Sequence, residues 1–219
     1  MKIWHISDTH GFHRDLSIPK VDVAIHSGDF ANSRNSSINS NEALDFLDWF
    51  AGLEIKHKVL IAGNHDISVE NRMIHPKFIQ DSGICYLENS DVTIENLKIW
   101  GSPITPSFGT GWAFNRARHK MSVVWEQIPK DTDIIVTHGP PKGMLDMNQE
   151  FEMCGCKSLL TTVSKIKPIF SLFGHVHSNE KINNSGIRKI GSLNTIFSNG
   201  SVVNDGKMLA VNNGNVLVL

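Results

Sequence analysis

The sequence predicts an α/β fold with two sheets face to face and helices outside. Three observations carry this expectation. Short apolar runs are each followed by polar residues, stretches of helical spacing lie between them, and the helical period vanishes after residue 178. Lys2–Ser7, Val21–Ser27, His57–Ala62, Asp133–Thr137 and Pro168–Phe173 read as buried strands. Asn39 with Glu42 reads as a helix start, a cap with a carboxylate three residues on, ahead of an apolar face of Ala43, Leu47 and Phe50. Ala117, Met121, Val124 and Ile128 form a second helical stripe ended by Pro129. Leu159, Val163 and Ile166 form a third, ended by Pro168. Beyond residue 178, Gly- and Asn-rich turns separate Lys181–Ile182, Ile187–Ile190, Ser201–Val203, Met208–Val211 and Val216–Leu219, the pattern of an antiparallel meander. The polar stretch 31–41 reads as a surface loop too short to link separate domains, so a single domain over residues 1–219 is expected.

At 219 residues the chain is long enough to bury roughly 70% of its unfolded surface, which supports a core without disulfide or metal staples. The formal charge of −1 argues against broad attraction to nucleic acid or an anionic membrane. No apolar run approaches the roughly 18–20 residues of a membrane span, and the first residues do not read as a signal peptide. Three cysteines, Cys85, Cys154 and Cys156, do not make a disulfide framework, so a reduced, cytoplasmic protein is expected. Cys154-Gly155-Cys156 reads as a helix start rather than a thiolate pair. The one unusual count is 11 histidines.

Five of the predicted strands deliver Asp, Asn or His immediately after their last apolar residue: Asp8 and His10, Asp29, Asn64 with His65 and Asp66, His138, and His175 with His177. In open α/β sheets that edge is where loops converge on a ligand crevice. Imidazoles, carboxylates and an amide oxygen, without a thiolate, suit divalent Mn, Fe, Co, Ni or Zn. In Asp8-x-His10 and His175-x-His177 the period of two puts both side chains on one face. Seven candidates exceed one ion and suit two. Asp8, His10, Asp29 and His177 are assigned to the first, and Asp29, Asn64, His138 and His175 to the second, with Asp29 shared. Two divalent ions against two aspartates and a hydroxide leave a formal +1, which attracts a phosphate ester.

The ordered set Asp8-x-His10, Gly28-Asp29, Gly63-Asn64-His65-Asp66, His138 and Gly174-His175-x-His177 resembles the calcineurin-like metallophosphoesterase superfamily. The resemblance implies a four-layer α-β-β-α sandwich of two facing mixed sheets, a dinuclear centre with manganese first among its metals, and phosphoester hydrolysis by a metal-bridging hydroxide. It also implies that His65 contacts the phosphate and protonates the leaving alkoxide. Asp66, next to it in sequence, is expected to orient His65 through a hydrogen bond, as carboxylates behind functional side chains do. Trp100-Gly101-Ser102-Pro103, Trp112-Ala113-Phe114-Asn115 with Arg118, and Thr137-His138-Gly139-Pro140-Pro141 followed by Gly155-Cys156 are similar to the metallophosphodiesterase-domain branch. That branch implies a phosphodiesterase for cyclic nucleotides, including the 2′,3′-cyclic kind, and so a small-molecule phosphoester as partner. Some mammalian members carry Gly at the position of His175, whose presence here implies a competent second metal position. On the same resemblance Asn64, His65, Phe114, Asn115, Arg118 and, in a looser match, Asn199 are expected to touch substrate.

Each residue also has a plainer reading. Asp8 and Asp29 suit turns or caps, Asn64 suits a turn, Trp112 and Phe114 suit a core, and Arg118 suits a solvated helix. His5, His13, His26, His57, His75 and His119 are expected to be structural. The competing functions are a phosphomonoesterase or protein phosphatase, in which an arginine after Gly-Asn-His holds a phosphate dianion and Arg72 stands further on; a nuclease; and a non-enzymatic scaffold on the same fold, which would have lost metal-site histidines.

Overall fold

The computed structural model describes residues 1–191, 193–205 and 209–219. Two mixed sheets face each other, as the sequence leads one to expect. In chain order the strands are β1 (Lys2–Ile6), β2 (Val23–Ser27) and β3 (His57–Ile61), with helix α1 (Ser36–Ala51) between the last two. Two short helices, α2 (Ile67–Glu70) and α3 (Pro76–Asp81), lead to β4 (Cys85–Tyr86), β5 (Ser90–Ile94) and β6 (Leu97–Ser102). Then come β7 (Thr105–Pro106), β8 (Asn115–Arg116), α4 (Met121–Trp125), β9 (Ile134–Thr137), α5 (Lys157–Ile166), β10 (Phe170–Phe173), β11 (Gly186–Lys189), β12 (Ile196–Asn199) and β13 (Asn215–Val218).

One sheet has the order β13-β1-β2-β3-β4 and the other β11-β12-β10-β9-β6-β5. β1, β2, β3 and β4 run parallel, as do β6, β9, β10 and β12. The alternation of side chains explains the layers. Ile3, Val23, Ile25, Val59 and Ile61 point inward against Ile99, Ile134, Val136, Phe170 and Leu172 of the facing sheet. Trp4, Ala24, Leu60, Ile135 and Phe173 point outward into the cluster that also takes Ala43, Phe46, Leu47 and Phe50 of α1 and Leu159 and Val163 of α5. Period-two strands buried on both faces account for the continuous apolar runs.

Several elements depart from expectation. α1 starts at Ser36, capped by Asn35, whose side-chain oxygen accepts from the N–H groups of Ser37 and Ile38. Asn39 therefore lies inside the helix, buried, and half of the supposed loop 31–41 is helical. The second stripe is shorter than expected, because residues 118–120 form a 3₁₀ turn and α4 ends at Trp125. The third is α5, following Cys156 as its cap and ended by Lys167 at φ 58°. The C-terminal meander is not what forms. β11 and β12 pair antiparallel, but β12 continues the parallel run beside β10, and β13 crosses to the other sheet, antiparallel to β1. Ser201–Val203 makes isolated bridges only, Lys181 and Ile182 lie in a turn closed by the Asn179 side chain, and Met208 lies outside the described residues. The β5–β6 hairpin has no counterpart among the expected elements: Glu95 and Asn96 both take positive φ (49° and 66°), a two-residue turn without the usual glycine. Among the described residues no helix is long and apolar enough to cross a membrane.

Candidate metal centre

The C-terminal ends of β1, β2 and β3 in one sheet and of β9 and β10 in the other open on the same edge of the sandwich. The residues that follow them meet there. The ligand atoms of Asp8, His10 and His177 lie within 4.8 Å of one another, and so do those of Asp29, His138 and His175. His177 Nε2 is 3.2 Å from Asp8 Oδ1 and 3.4 Å from His10 Nε2. His138 Nε2 is 2.9 Å from the Asn64 side-chain oxygen. Asp29 Oδ2 stands between the groups, 3.2 Å from His138 Nε2 and 3.9 Å from His10 Nε2, where a ligand shared by two ions would sit. The other Asp29 oxygen accepts the His65 N–H at 2.7 Å.

The backbone is bent to achieve this. Asp8, His10, Asp29 and His175 all take positive φ, between 43° and 71°. Non-glycine residues there are costly, of the order of 1–3 kcal/mol each, and such strain gathers at functional sites. Close packing adds to the constraint: a Cβ on Gly63 would strike the Asp29 carboxylate, and one on Gly174 would strike Ser7 and Asp8.

Three rings are oriented alike. His10 Nδ1–H donates to the Ala31 carbonyl at 3.1 Å, His138 Nδ1–H to the Ser27 carbonyl at 2.9 Å, and His177 Nδ1–H to Asp205 Oδ1 at 2.6 Å. Each bond leaves Nε2 aimed at the centre, the arrangement by which ligating histidines are held. His175 is fixed through its backbone, whose N–H donates to both Asp8 oxygens at 3.0 Å.

Burial favours the neutral form of all four rings, and neighbouring charge then separates them. Against that burial the Asp29 carboxylate brings the His138 pKa up to about 9, and Asp8 with Asp205 brings His177 up to about 10. His10 falls to about 4, burial outweighing Asp29, and His175 falls to about 3, burial being reinforced by His138. Burial opposes ionisation of Asp8 and Asp29, but His177 and His138 respectively hold both carboxyls below their usual range. Without metal, two protonated rings therefore balance two buried carboxylates. A site that collects positive charge in this way, from nitrogen and oxygen donors only, fits divalent cations.

Asp66 does not orient His65. It is fully buried, and its carboxylate accepts four backbone N–H bonds, from Asp29, Phe30, Ala31 and Gly63, at 2.7–3.1 Å. Burial and the charge of Asp29 raise its pKa and these donors oppose them, yet with every lone pair facing an N–H no acceptor remains for a carboxyl proton. His65 is held instead by its Nδ1–H to the Asn32 carbonyl, at 3.2 Å, and by the buried Asn39 amide, which donates to the His65 carbonyl at 2.7 Å. The His65 ring packs edge-on to His10 at 4.6 Å, and its ring nitrogen joins His10 and Asp29 in a third close group.

The expected substrate contacts divide. Phe114 is buried in the core at 3% exposure and is no stacking platform. The aromatic rings beside the site are instead exposed Phe108 and half-buried Trp112, on the loop between β7 and β8, which pack on His175 at 4.9 Å and on His65 at 4.6 Å. Trp112, for which a core position is the plainer expectation, therefore faces the site instead. Phe114 itself takes positive φ (54°). Asn115 stands beside β7, its amide donating to the Ala113 carbonyl. Arg118 lies on the cleft wall with its guanidinium spent on the carbonyls of Cys154 and Gly155. Asn199 is buried and braces the Val176 carbonyl at 3.0 Å, away from the cleft. Sequence reasoning misses Asp205, which follows an irregular stretch and reads as a turn residue.

The calcineurin-like phosphoesterase family matches residues 1–179. Metallophosphoesterase domain-containing protein 1 of Homo sapiens is 33% identical over 197 residues, 78% of this chain and 59% of that protein. A UPF0046 protein of Caenorhabditis elegans is 32% identical over 222 residues, 95% of this chain and 72% of that protein. The chain thus spans about three fifths of the human relative. The crystal structure of the Thermus thermophilus protein TT1561 superposes with a TM-score of 0.62 at 11% identity, covering 90% of this chain and 88% of that one, a likeness of fold. Proteins of this family work with a dinuclear metal centre, and by its sequence the chain belongs to the calcineurin-like phosphoesterases, as a metal-dependent phosphoric ester hydrolase.

Proposed function

We propose that the protein is a phosphodiesterase that opens the phosphate ring of a cyclic nucleotide, 2′,3′ or 3′,5′. The observation that carries this reading is a cleft of about 460 Å³ running from His175 and His177, large enough for a nucleoside. Among its described lining residues Arg118 is the one Lys or Arg, and it is already bonded to two carbonyls, while Glu150 and Asp205 add negative charge. Such a wall accepts a phosphodiester monoanion with a neutral leaving group and disfavours a second phosphate. Phe108 offers an apolar face at the same place.

In this reading Asp8, His10, Asp29 and His177 hold one divalent ion, and Asp29, Asn64, His138 and His175 the other; manganese is the first choice, with iron, zinc, cobalt and nickel suited to the same donors. Such a pair supplies Lewis acidity and water activation near neutral pH. The chain supplies orientation and a proton. Water, having given one proton to solvent, adds its oxygen to phosphorus as the ester P–O bond breaks in line, and the departing alkoxide takes a proton from Nε2 of His65 in its doubly protonated form, which is then restored from solvent. His65 Nδ1–H, on the Asn32 carbonyl, aims the ring for that transfer.

The phosphomonoesterase or protein phosphatase reading is weakened by Arg72, whose guanidinium is taken up in a paired salt bridge to Glu88, at 2.8 and 2.6 Å. A panel of 2′,3′- and 3′,5′-cyclic nucleotides, nucleoside monophosphates and a phosphopeptide, assayed with Mn, tests the proposal. Turnover of the cyclic diesters at least tenfold above the monoesters is expected; the reverse order would reject it.

A further inference from the structure

We infer that Asp205 is a positioning residue for the metal pair, setting the affinity of the ion bound by Asp8, His10 and His177. The inference rests on the metal-site reading above and adds a residue beyond the 1–179 region that carries the family match. Asp205 comes from the bend after the isolated bridge that pairs Ser178 with Asn204, and its own N–H donates to the Ser178 carbonyl at 3.0 Å. That bond ties the C-terminal segment to the residue after His177. The Asp205 carboxylate then lies 2.6 Å from His177 Nδ1, shorter than the Nδ1 contacts of His10 and His138. Nε2 of the same ring is left pointing at Asp8 Oδ1, 3.2 Å away.

The three rings differ in what holds them. His10 and His138 use backbone carbonyls for the purpose that Asp205 serves at His177. A carbonyl orients a ring, but a carboxylate also makes Nε2 a stronger donor to a cation, because it stabilises positive charge developing on the imidazole. His177 is also more exposed than the other two, at 12% against 1% or less, so it has more need of an external partner. Asp205 also accepts from the Gln149 side chain, which lines the cleft. The residue thus joins the cleft wall to a metal ligand.

The test is metal binding to the full chain, by competition of Zn or Mn against a fluorescent chelator, in wild type, Asp205→Ala and Asp205→Asn. Wild type is expected to bind two ions. Asp205→Ala is expected to weaken one of them by about 10- to 100-fold, the range for such partners, and to leave the other within about threefold. Asp205→Asn, which can still accept the Nδ1–H but has no charge, is expected to fall between. In the zinc-loaded wild type, ¹⁵N-detected imidazole spectra are expected to show His177 protonated at Nδ1, with that proton exchanging faster in Asp205→Ala. Unchanged affinity for both ions in Asp205→Ala overturns the inference. So does an equal loss at both ions together with a lower melting temperature of the chelated protein, which marks a general structural role. Failure of wild type itself to bind two ions rejects the metal-site reading instead.

Discussion

The backbone N–H of Asp29 donates to the buried carboxylate of Asp66 at 2.9 Å, so the residue that stands between the two metal-ligand groups is held from behind by a second carboxylate. The same carboxylate takes the N–H groups of Phe30, Ala31 and Gly63. It therefore fastens the loop after β2 to the loop after β3. Asp66→Asn keeps the shape but turns an NH₂ group toward backbone donors. A loss of at least ~3 kcal/mol is expected, since each hydrogen bond to a charged buried group contributes about 1.5–3 kcal/mol. Urea unfolding of the metal-free protein measures it; a change under about 1 kcal/mol would show that the four bonds do not hold the loops.

Phe108 and Phe114 are expected to respond in opposite ways to truncation. Phe114→Ala opens a core cavity and should cost roughly 3–5 kcal/mol, whereas Phe108, 48% exposed, should change stability by no more than about 0.5 kcal/mol. Phe108→Ala should instead raise KM for a cyclic nucleotide several-fold with kcat little changed. Thermal melts and steady-state kinetics on the two variants decide; a stable Phe114→Ala or an unaltered KM in Phe108→Ala would contradict the assignment.

His65→Ala should lower kcat by about 10²–10⁴-fold, the usual contribution of a positioned general acid, while two ions remain bound. Loss of an ion would instead make His65 a ligand with His10 and Asp29, which the third close group permits.

The buried structural histidines set an acid limit on stability. His5 lies between the sheets with Nδ1 2.8 Å from Ser198 Oγ and Nε2 3.0 Å from Ser27 Oγ, and His26 lies behind β2 against Phe46. Burial lowers both pKa values from 6.5 to about 3. The folded state therefore keeps these rings neutral while the unfolded chain protonates them. Their contribution is intact above pH 6.5 and drains as pH falls toward 3, by about 2 kcal/mol for each ring at about pH 5. Imidazole NMR should show neither ring titrating between about pH 8 and 5; midpoints near the ordinary 6.5 would contradict the burial argument.

The residues of the candidate site stand out in the sequence because each follows a buried strand, where an apolar run stops at Asp, Asn or His. What the sequence hides depends on backbone turns and on partners far away. Asn35 rather than Asn39 caps α1, a choice among several equivalent polar residues. Phe114 is buried while Phe108 is exposed, and the local sequence pattern does not tell the two apart. β12 joins the parallel run beside β10 through tertiary pairing that its local pattern does not announce. Asp66 and Asp205 reveal their roles only through the groups they face, and neither role leaves a periodic signal.

Crystals soaked in manganese and measured for anomalous scattering address the metal pair at its source. Two peaks about 3.5–4 Å apart, one on each side of Asp29 and within bonding distance of His177 and His138 respectively, are expected. No anomalous density at Asp29, or a single ion bound elsewhere, would contradict the dinuclear centre and the hydrolysis built on it.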